Sequence, residues 1–188
     1  MSTRAAPHLP GETGVWVFIL GDMLVFAALF ITFLYYRGEQ VALFAGSQRS
    51  LNQHYGALNT FFMLTSSWCV AVAVAVARAA RGVAARRWLL AAMACALGFV
   101  VVKFFEYRDK IRAGFTLTSN DFFMYYYMLT GLHLMHVLLG LGVLLYLWLD
   151  LRRPAAGAPL RTLESGASFW HMVDILWIVL FALLYLVR

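Results

Sequence analysis

The chain has 188 residues, of which 63% are hydrophobic and 13% are charged, and its formal net charge is +6 at pH 7. This composition is too apolar for a water-soluble domain of this size. A positive charge would suit a nucleic-acid partner, but the arginines lie in short links between apolar runs, which is where membrane proteins place them. The composition therefore indicates a membrane protein and argues against nucleic-acid binding.

Five apolar runs follow a polar N-terminal arm of residues 1–13, and each is long enough to cross a bilayer as a helix. In lipid, only helices and closed barrels satisfy their backbone polar groups, and runs of this length without alternation are helices. The predicted helices cover about residues 14–36, 57–77, 88–105, 122–148 and 169–187, and the third is the shortest. We therefore predict an all-α membrane protein in which residues 14–188 form a single bundle of five transmembrane helices.

The segments between these runs are polar. The first run is too long for the core of a signal peptide and lacks a clear small-residue cleavage site, so we expect it to be a retained helix. A link over residues 37–56 follows it, and a tight basic link separates the second and third helices. The loop over residues 150–168, which holds Pro154 and Pro159, precedes the last helix.

The orientation in the membrane is predicted from the links. Five spans place the termini on opposite sides, with eight Lys and Arg residues on the N-terminal side and seven on the other, so the positive-inside rule is almost balanced. Tryptophans mark the N-terminal side (Trp16, Trp88, Trp148, Trp170) and tyrosines the other (Tyr35, Tyr36, Tyr107, Tyr125, Tyr126, Tyr185). Because four arginines crowd the link at residues 78–87, we predict a cytoplasmic N-terminus and a C-terminus on the opposite side.

Two acids and three histidines lie inside the apolar runs. The fourth run has no formal charge over residues 122–148, yet His133 and His136 lie near its middle. Asp22 and Asp174 lie in the first and fifth runs at similar depths, with His171 slightly shallower, if each residue advances a helix by about 1.5 Å. Polar groups at bilayer depth are costly and need partners inside the bundle. We therefore expect these groups to gather in the half of the membrane where the chain begins.

Three interpretations of these groups remain open. The first is a buried hydrogen-bond network that holds the helices together, because unpaired carboxylates at this depth would otherwise stay protonated. The second is a path for protons. The third is a metal site, since His133 and His136 are spaced i, i+3 and point to one helical face. We favour the network, and in that interpretation the residues hold helix to helix and do not react.

The sequence offers little else that a catalytic or metal site would need. Di-metal bundles use a Glu-x-x-His pair on each of two helices, and the four glutamates lie outside the interiors of the predicted spans (Glu12, Glu39, Glu106, Glu164). There is no Walker loop, nucleophile elbow or cysteine-rich metal spacing. We therefore expect no catalytic, cofactor-binding or metal-binding residue in this chain.

Two further expectations concern packing. Lys103 and Glu106 at i, i+3 are interpreted as a helix-end pair near the interface, with Lys103 extended outward to water. Glycines in the fourth helix permit a close approach of neighbouring helices (Gly131, Gly140, Gly142).

Four stretches of the chain together resemble subunit III of the haem–copper oxidase superfamily. WVFILGDMLVFAALF resembles the first shared helix of that family with its buried acid, and LNTFFMLTSS resembles the start of the next. FEYRDKIRAGFTLTSNDFF followed by TGLHLMHVLLG resembles its Glu-Tyr, Phe-Thr and Gly-x-His-x-x-His-Val stretch. FWHMVDILWIVLFALLYLV resembles its closing helix. The four blocks occur in the order of the family and cover about residues 14–187.

The resemblance is to a short form of this family. The mitochondrial-type subunit has seven helices, and this chain resembles the last five; the missing pair forms one wall of the lipid-holding cleft in the longer form. Asp22 stands where the longer form usually has glutamate. The opening stretch over residues 10–22 is most similar to a five-helix subunit-III-like protein associated with nitric oxide reductase.

The resemblance implies a non-catalytic accessory subunit of a terminal oxidase or nitric oxide reductase in a bacterial inner membrane. Such a subunit has no redox centre of its own, packs on the catalytic haem–copper subunit I, binds phospholipid, and supports assembly, stability during turnover and proton uptake. Haems and metals are expected in the partner subunits. Six residues correspond to the polar framework of the family (Asp22, Glu106, His133, His136, His171, Asp174). The alternative functions are an independent proton or ion transporter that uses the intramembrane acids, and a histidine-metal membrane enzyme.

Overall fold

The computed structural model describes residues 11–152 and 160–187, and the chain is almost entirely helical over these ranges. It contains six α-helices and a short C-terminal π-helix: α1 (Thr13–Glu39), α2 (Val41–Arg49), α3 (Gln53–Arg78), α4 (Gly82–Arg112), α5 (Asp121–Asp150), α6 (Leu160–Phe181) and the π-helix (Ala182–Leu186). Five helices are long and apolar enough to cross a membrane, and the last combines α6 with the π-helix. The predicted all-α architecture with five such helices is confirmed.

The observed helices are longer than the predicted ones. The third predicted helix, expected to be the shortest, corresponds to α4, which has 31 residues and is the longest in the described part of the chain. The prediction ended it at residue 105 because charged residues follow there. Lys103 and Glu106 are instead buried within the helix, so the charges do not mark its end.

The predicted loops also contain helix. The link over residues 37–56 holds the nine-residue α2, which buries Phe44 and Gln48. The last helix begins at Leu160, nine residues before the predicted start. The remainder of that loop, with Pro154 and Pro159, and the first ten residues of the N-terminal arm lie outside the described residues.

Asparagine side chains fix the starts of two spans. The Asn52 side chain accepts a hydrogen bond from the His54 backbone N–H at the start of α3, at 2.9 Å. At the start of α5, the Asn120 side chain accepts one from Phe123 N–H, also at 2.9 Å. Each cap satisfies a backbone donor that the first helical turn leaves free.

α3 and α4 form a hairpin, and α6 packs between α3 and α5. The core of the bundle lies along α6, where Trp170 and Trp177 are fully buried. α1 is peripheral: it buries only Ile19, Phe26 and Phe33, which are spaced seven residues apart and so share one face. Its exposed side chains, among them Val17, Leu24 and Ile31, are therefore available to lipid or to another chain.

The close approach predicted for the glycines of the fourth helix occurs at one of the three. A Cβ atom on Gly140 would lie 2.6 Å from the Trp170 ring, so the lack of a side chain lets the indole of α6 pack on α5. At Gly131 and Gly142 no described atom of a neighbouring helix lies within 4 Å of a Cβ position, so no such approach occurs there within the described chain.

Candidate functional site

Asp22 of α1 and His136 of α5 form a hydrogen-bonded pair across two helices. His136 Nε2 lies 2.8 Å from Asp22 Oδ2, and His136 Nδ1 lies 2.8 Å from the Leu132 carbonyl oxygen. A carbonyl oxygen only accepts, so His136 Nδ1 must carry a proton. His136 Nε2 then either donates to the carboxylate or accepts from a protonated Asp22. In both forms the pair shares one proton and has no net charge, which suits its depth in an apolar bundle.

His171 and Asp174 lie one turn apart on α6 and meet α3. Ser67 Oγ of α3 is 2.7 Å from His171 Nδ1. Asp174 is 6% exposed and its carboxylate lies near Ser67 and His171, while its Oδ1 atom has no hydrogen-bond partner among the described residues. This cluster joins α3 to α6 at the level of the core.

Glu106 belongs to a third cluster, with Lys103 of the same helix and Tyr185 of the π-helix. Lys103 Nζ donates to Glu106 Oε2 at 3.0 Å and to Tyr185 Oη at 3.1 Å, and Tyr185 Oη donates to Glu106 Oε1 at 2.5 Å. The Lys103 and Glu106 side chains are both 0% exposed. The three groups therefore form a closed triangle in which each charge has two partners.

Aromatic rings complete the surroundings of Lys103. Its ammonium nitrogen lies 5.0–5.7 Å from four ring centroids, those of Tyr107, Tyr126, Trp177 and Tyr185. The predicted pairing with Glu106 is present, but the prediction that Lys103 extends outward is wrong. An ammonium ion can remain inside the bundle here because a carboxylate, a hydroxyl and the negative faces of the rings replace its water.

His133 is fully buried and has aromatic rather than polar neighbours. Its ring lies 5.3 Å from the Trp177 ring and 5.6 Å from the Phe99 ring, measured between centroids. Within the described part of the chain, neither of its ring nitrogens has a hydrogen-bond partner. Although His133 and His136 are one turn apart, only His136 meets an acid. The described residues contain no group of three or more His, Cys, Asp and Glu side chains that could hold a metal ion.

The structure thus divides the six predicted framework residues among separate sites. Asp22 pairs with His136, and His171 lies beside Asp174. Glu106 lies with Lys103 and Tyr185, and His133 packs on Trp177. Each hydrogen-bonded cluster joins two elements of the bundle, which is what a packing network requires.

Sequence reasoning missed the hydroxyl partners of these clusters. Neither Ser67 nor Tyr185 was predicted to take part in a cluster, and Tyr185 was identified only as part of an interfacial belt. Thr60 accepts a hydrogen bond from the Trp177 indole at 3.0 Å and was not identified. The spacing of residues along one helix does not indicate which residue of another helix will contact them.

An apolar groove of about 540 Å³ lies between α1, α5 and α6 near the N-terminal end of α1. Val15 and Phe18 of α1, Leu139 and Val143 of α5, and Phe169 of α6 line it. At the rim, Glu12 N–H donates to Ser165 Oγ at 2.8 Å. The groove has the size and the apolar lining that part of an acyl chain would fill.

Comparisons with known proteins identify relatives that match almost the whole chain. The sequence model of the family described as Cytochrome c oxidase subunit III matches residues 10–187. Cytochrome c oxidase subunit 3 of Synechocystis sp. is 30% identical over 177 residues, which cover 92% of this chain and 74% of that protein. Cytochrome bo(3) ubiquinol oxidase subunit 3 of Pseudomonas putida is 27% identical over 92% of this chain and 84% of its own length. A Heme-copper oxidase subunit I+III of Aeropyrum pernix is 26% identical over 94% of this chain, which corresponds to 22% of that longer protein.

Proposed function

The chain belongs to the cytochrome c oxidase subunit III family, and we propose that it is a non-catalytic accessory subunit of a haem–copper respiratory complex. The observation that carries the proposal is the family match, which extends over residues 10–187 and so includes all five long helices. The hydrogen-bonded clusters are consistent with this role, because each of them connects helices to one another. In this proposal the chain has no redox centre, and the haems and metals belong to its partners.

The proposed partner is the catalytic subunit I. One relative is named as subunit 3 of a ubiquinol oxidase and another as subunit I+III of a heme-copper oxidase, and each match covers more than nine-tenths of this chain. The face offered to a partner includes α1, whose outward side chains are large and apolar, among them Val17, Leu24 and Ile31. Complexes that reduce oxygen and complexes that reduce nitric oxide both fit this proposal, and the opening stretch over residues 10–22 favours the second kind.

Phospholipid binding and a supporting role in proton uptake are further parts of the proposal. The 540 Å³ groove between α1, α5 and α6 supports the first, because its apolar lining is suited to an acyl chain. The Asp22–His136 pair supports the second indirectly, since it ties α1 to α5 and so fixes the position of α1 at the bundle surface, where the Asp22 side chain is 19% exposed. The proposed location is the bacterial inner membrane, with a cytoplasmic N-terminus.

Purification from native membranes tests the assignment. A tagged copy of the chain should recover a complex with haem absorption bands, and a co-eluting chain should be identified as subunit I. Recovery of the chain without haem would contradict the proposal. Reconstitution of the purified chain into liposomes provides a second test, since an accessory subunit should carry no protons or ions, whereas an independent transporter would.

A further inference from the structure

Two guanidinium groups lie close to the ring of Trp148, on the last turn of α5. The Cζ atom of Arg86, on the second turn of α4, lies 5.3 Å from the centroid of the Trp148 ring. The Cζ atom of Arg152, just after α5, lies 3.9 Å from the same ring. Two cations are therefore held at one aromatic side chain, at the end of the bundle where α4 begins and α5 ends.

Two buried donors at this place have no acceptor. Arg86 Nε and Trp148 Nε1 are both inaccessible to solvent, and neither has a hydrogen-bond partner among the residues that the structure describes. Each of these nitrogens can only donate. Burying a donor without a partner costs free energy. We therefore expect these two donors to pair with an acceptor from outside the described residues.

The two guanidinium groups at this place also have no ion-pair partner among the described residues. Arg78, near the same end of the bundle, pairs with Glu164 at 2.7 Å. By contrast, neither Arg86 nor Arg152 forms an ion pair with a carboxylate within residues 11–152 and 160–187. Asp150, two residues before Arg152, is the nearest acid in the sequence and has interactions of its own.

We infer that Arg86, Trp148 and Arg152 form a binding site for the phosphate group of an anionic phospholipid. Phosphate oxygens accept several hydrogen bonds and carry the negative charge that two guanidinium groups would neutralise. Tryptophan and arginine side chains at the end of a membrane span lie at the level of lipid headgroups, and basic pockets between such helices bind anionic ones. The inference rests on the lipid-binding part of the proposed function and adds the headgroup chemistry and its residues.

The test uses the complex purified with the full chain and depleted of lipid in detergent. Phosphatidylglycerol is titrated into the wild type and into the double variant Arg86→Gln/Arg152→Gln, and bound lipid is counted by native mass spectrometry. The variant should bind phosphatidylglycerol at least about tenfold more weakly, because it loses two charge-assisted contacts. The matched control is Arg87→Gln, since Arg87 is exposed on the same turn and should bind as the wild type does. Equal lipid binding by the double variant and the wild type would overturn the inference.

Two further variants separate the headgroup site from a folding effect. Trp148→Phe keeps an aromatic ring but removes the indole N–H, and Arg86→Lys keeps the charge but removes the Nε–H; each should weaken phosphatidylglycerol binding several-fold while the complex assembles normally. Normal assembly with unchanged lipid affinity in both variants would contradict the site.

The source of the phosphate is distinguished with other ligands. Phosphatidylcholine should bind more weakly than phosphatidylglycerol, and millimolar inorganic phosphate should not replace it. If inorganic phosphate stabilised the complex in an Arg86-dependent way while phosphatidylglycerol did not bind, the site would be one for a free anion and the lipid inference would be wrong. Haem content and recovery of subunit I are measured on the same samples, so a failure of the accessory-subunit assignment is recognised independently of the lipid result.

Discussion

Lys103 and Glu106 are fully buried between α4 and the C-terminal π-helix, and Tyr185 bonds to both. Taking charges out of water costs several kcal/mol for each ion, so such a pair is tolerated only when its hydrogen bonds are complete. Here the three hydrogen bonds of the triangle satisfy both charged groups, and four aromatic rings surround the ammonium. The cluster therefore specifies how the end of the chain docks on α4.

Replacing Lys103 by Met should destabilise the subunit strongly. The substitution leaves the Glu106 carboxylate without its cation, and breaking a buried pair in this way costs about 3–5 kcal/mol. The thermal unfolding midpoint of the purified complex is the measurement. The double variant Lys103→Met/Glu106→Gln should recover much of the loss, because no uncompensated charge remains. A double variant as unstable as Lys103→Met alone would show that the instability comes from the lost hydrogen bonds of the Lys103 ammonium and not from the unpaired carboxylate.

His133 is expected to tolerate a change to Phe. Its ring nitrogens have no partner in the described residues, and its neighbours are the Phe99 and Trp177 rings. A phenyl ring removes the unpaired polar atoms but is larger than an imidazole, so the two effects oppose each other and stability should change by less than about 1.5 kcal/mol. Turnover of the purified complex and its unfolding midpoint are measured together. A complex that assembles but loses turnover or a bound metal would support the rival proton or metal role of His133.

At the scale of helices, the contact between α5 and α6 depends on one residue without a side chain. Trp170 is fully buried and its ring occupies the space where a Cβ atom on Gly140 would lie. Because interiors are close-packed and the Trp170 indole is large, the two helices can be this close only with glycine at this position. The spacing of glycines in the sequence did not identify which of the three mattered.

Gly140→Ala should therefore separate α5 from α6 and reduce the amount of assembled complex. The added methyl group would lie 2.6 Å from Trp170, and overpacking of this kind costs about 1–3 kcal/mol. Gly142→Ala is the matched control on the same helix, since no described atom lies within 4 Å of its Cβ position. The yield of haem-containing complex and its unfolding midpoint should fall only in the first variant. Equal loss in both would point to a backbone effect of alanine in α5.

At the scale of the whole molecule, the outward surface is apolar and the polar groups lie inside. α1 has only three fully buried side chains, and Asp22 is the site at which its inner face is tied to α5. The attachment of α1 to the bundle therefore depends on a few aromatic and aliphatic side chains and this pair. Since α1 also presents a broad apolar surface, its position affects what the subunit offers to lipid and to a partner.

Asp22→Asn should weaken assembly or lipid retention before it alters any chemistry. An amide can still bond to His136 Nε2, but it removes the shared proton and the charge-assisted contact. The expected result is less subunit and less lipid in the purified complex, with turnover per remaining intact complex unchanged. Glu39→Gln, an exposed acid at the end of the same helix, is the control and should have no effect. A fully assembled Asp22→Asn complex whose proton uptake collapsed would assign a proton-carrying role to Asp22 instead.

The amino-acid sequence by itself determined the number of long apolar helices and the class of the protein. Hydropathy over about twenty residues is a local property, because the backbone of each span must satisfy its own hydrogen bonds in lipid. The family resemblance is likewise carried by local stretches, and the family match over residues 10–187 confirmed it. The predicted ends of the helices were less accurate. Lys103 and Glu106 were interpreted as lying at the membrane interface, although the helix continues past them.

Only the tertiary structure decided which polar groups meet. His133 and His136 lie one turn apart in the same apolar run, so the sequence does not distinguish them. In the structure His136 bonds to Asp22, while His133 packs among aromatic rings. Lys103 was assigned to the surface and lies in the core, because Tyr185, 82 residues away, supplies its second partner. Partnership across helices depends on how the helices are rotated and spaced. Because nearly every helical face in this chain is apolar, the periodicity of hydrophobic residues does not indicate how the helices are rotated against one another.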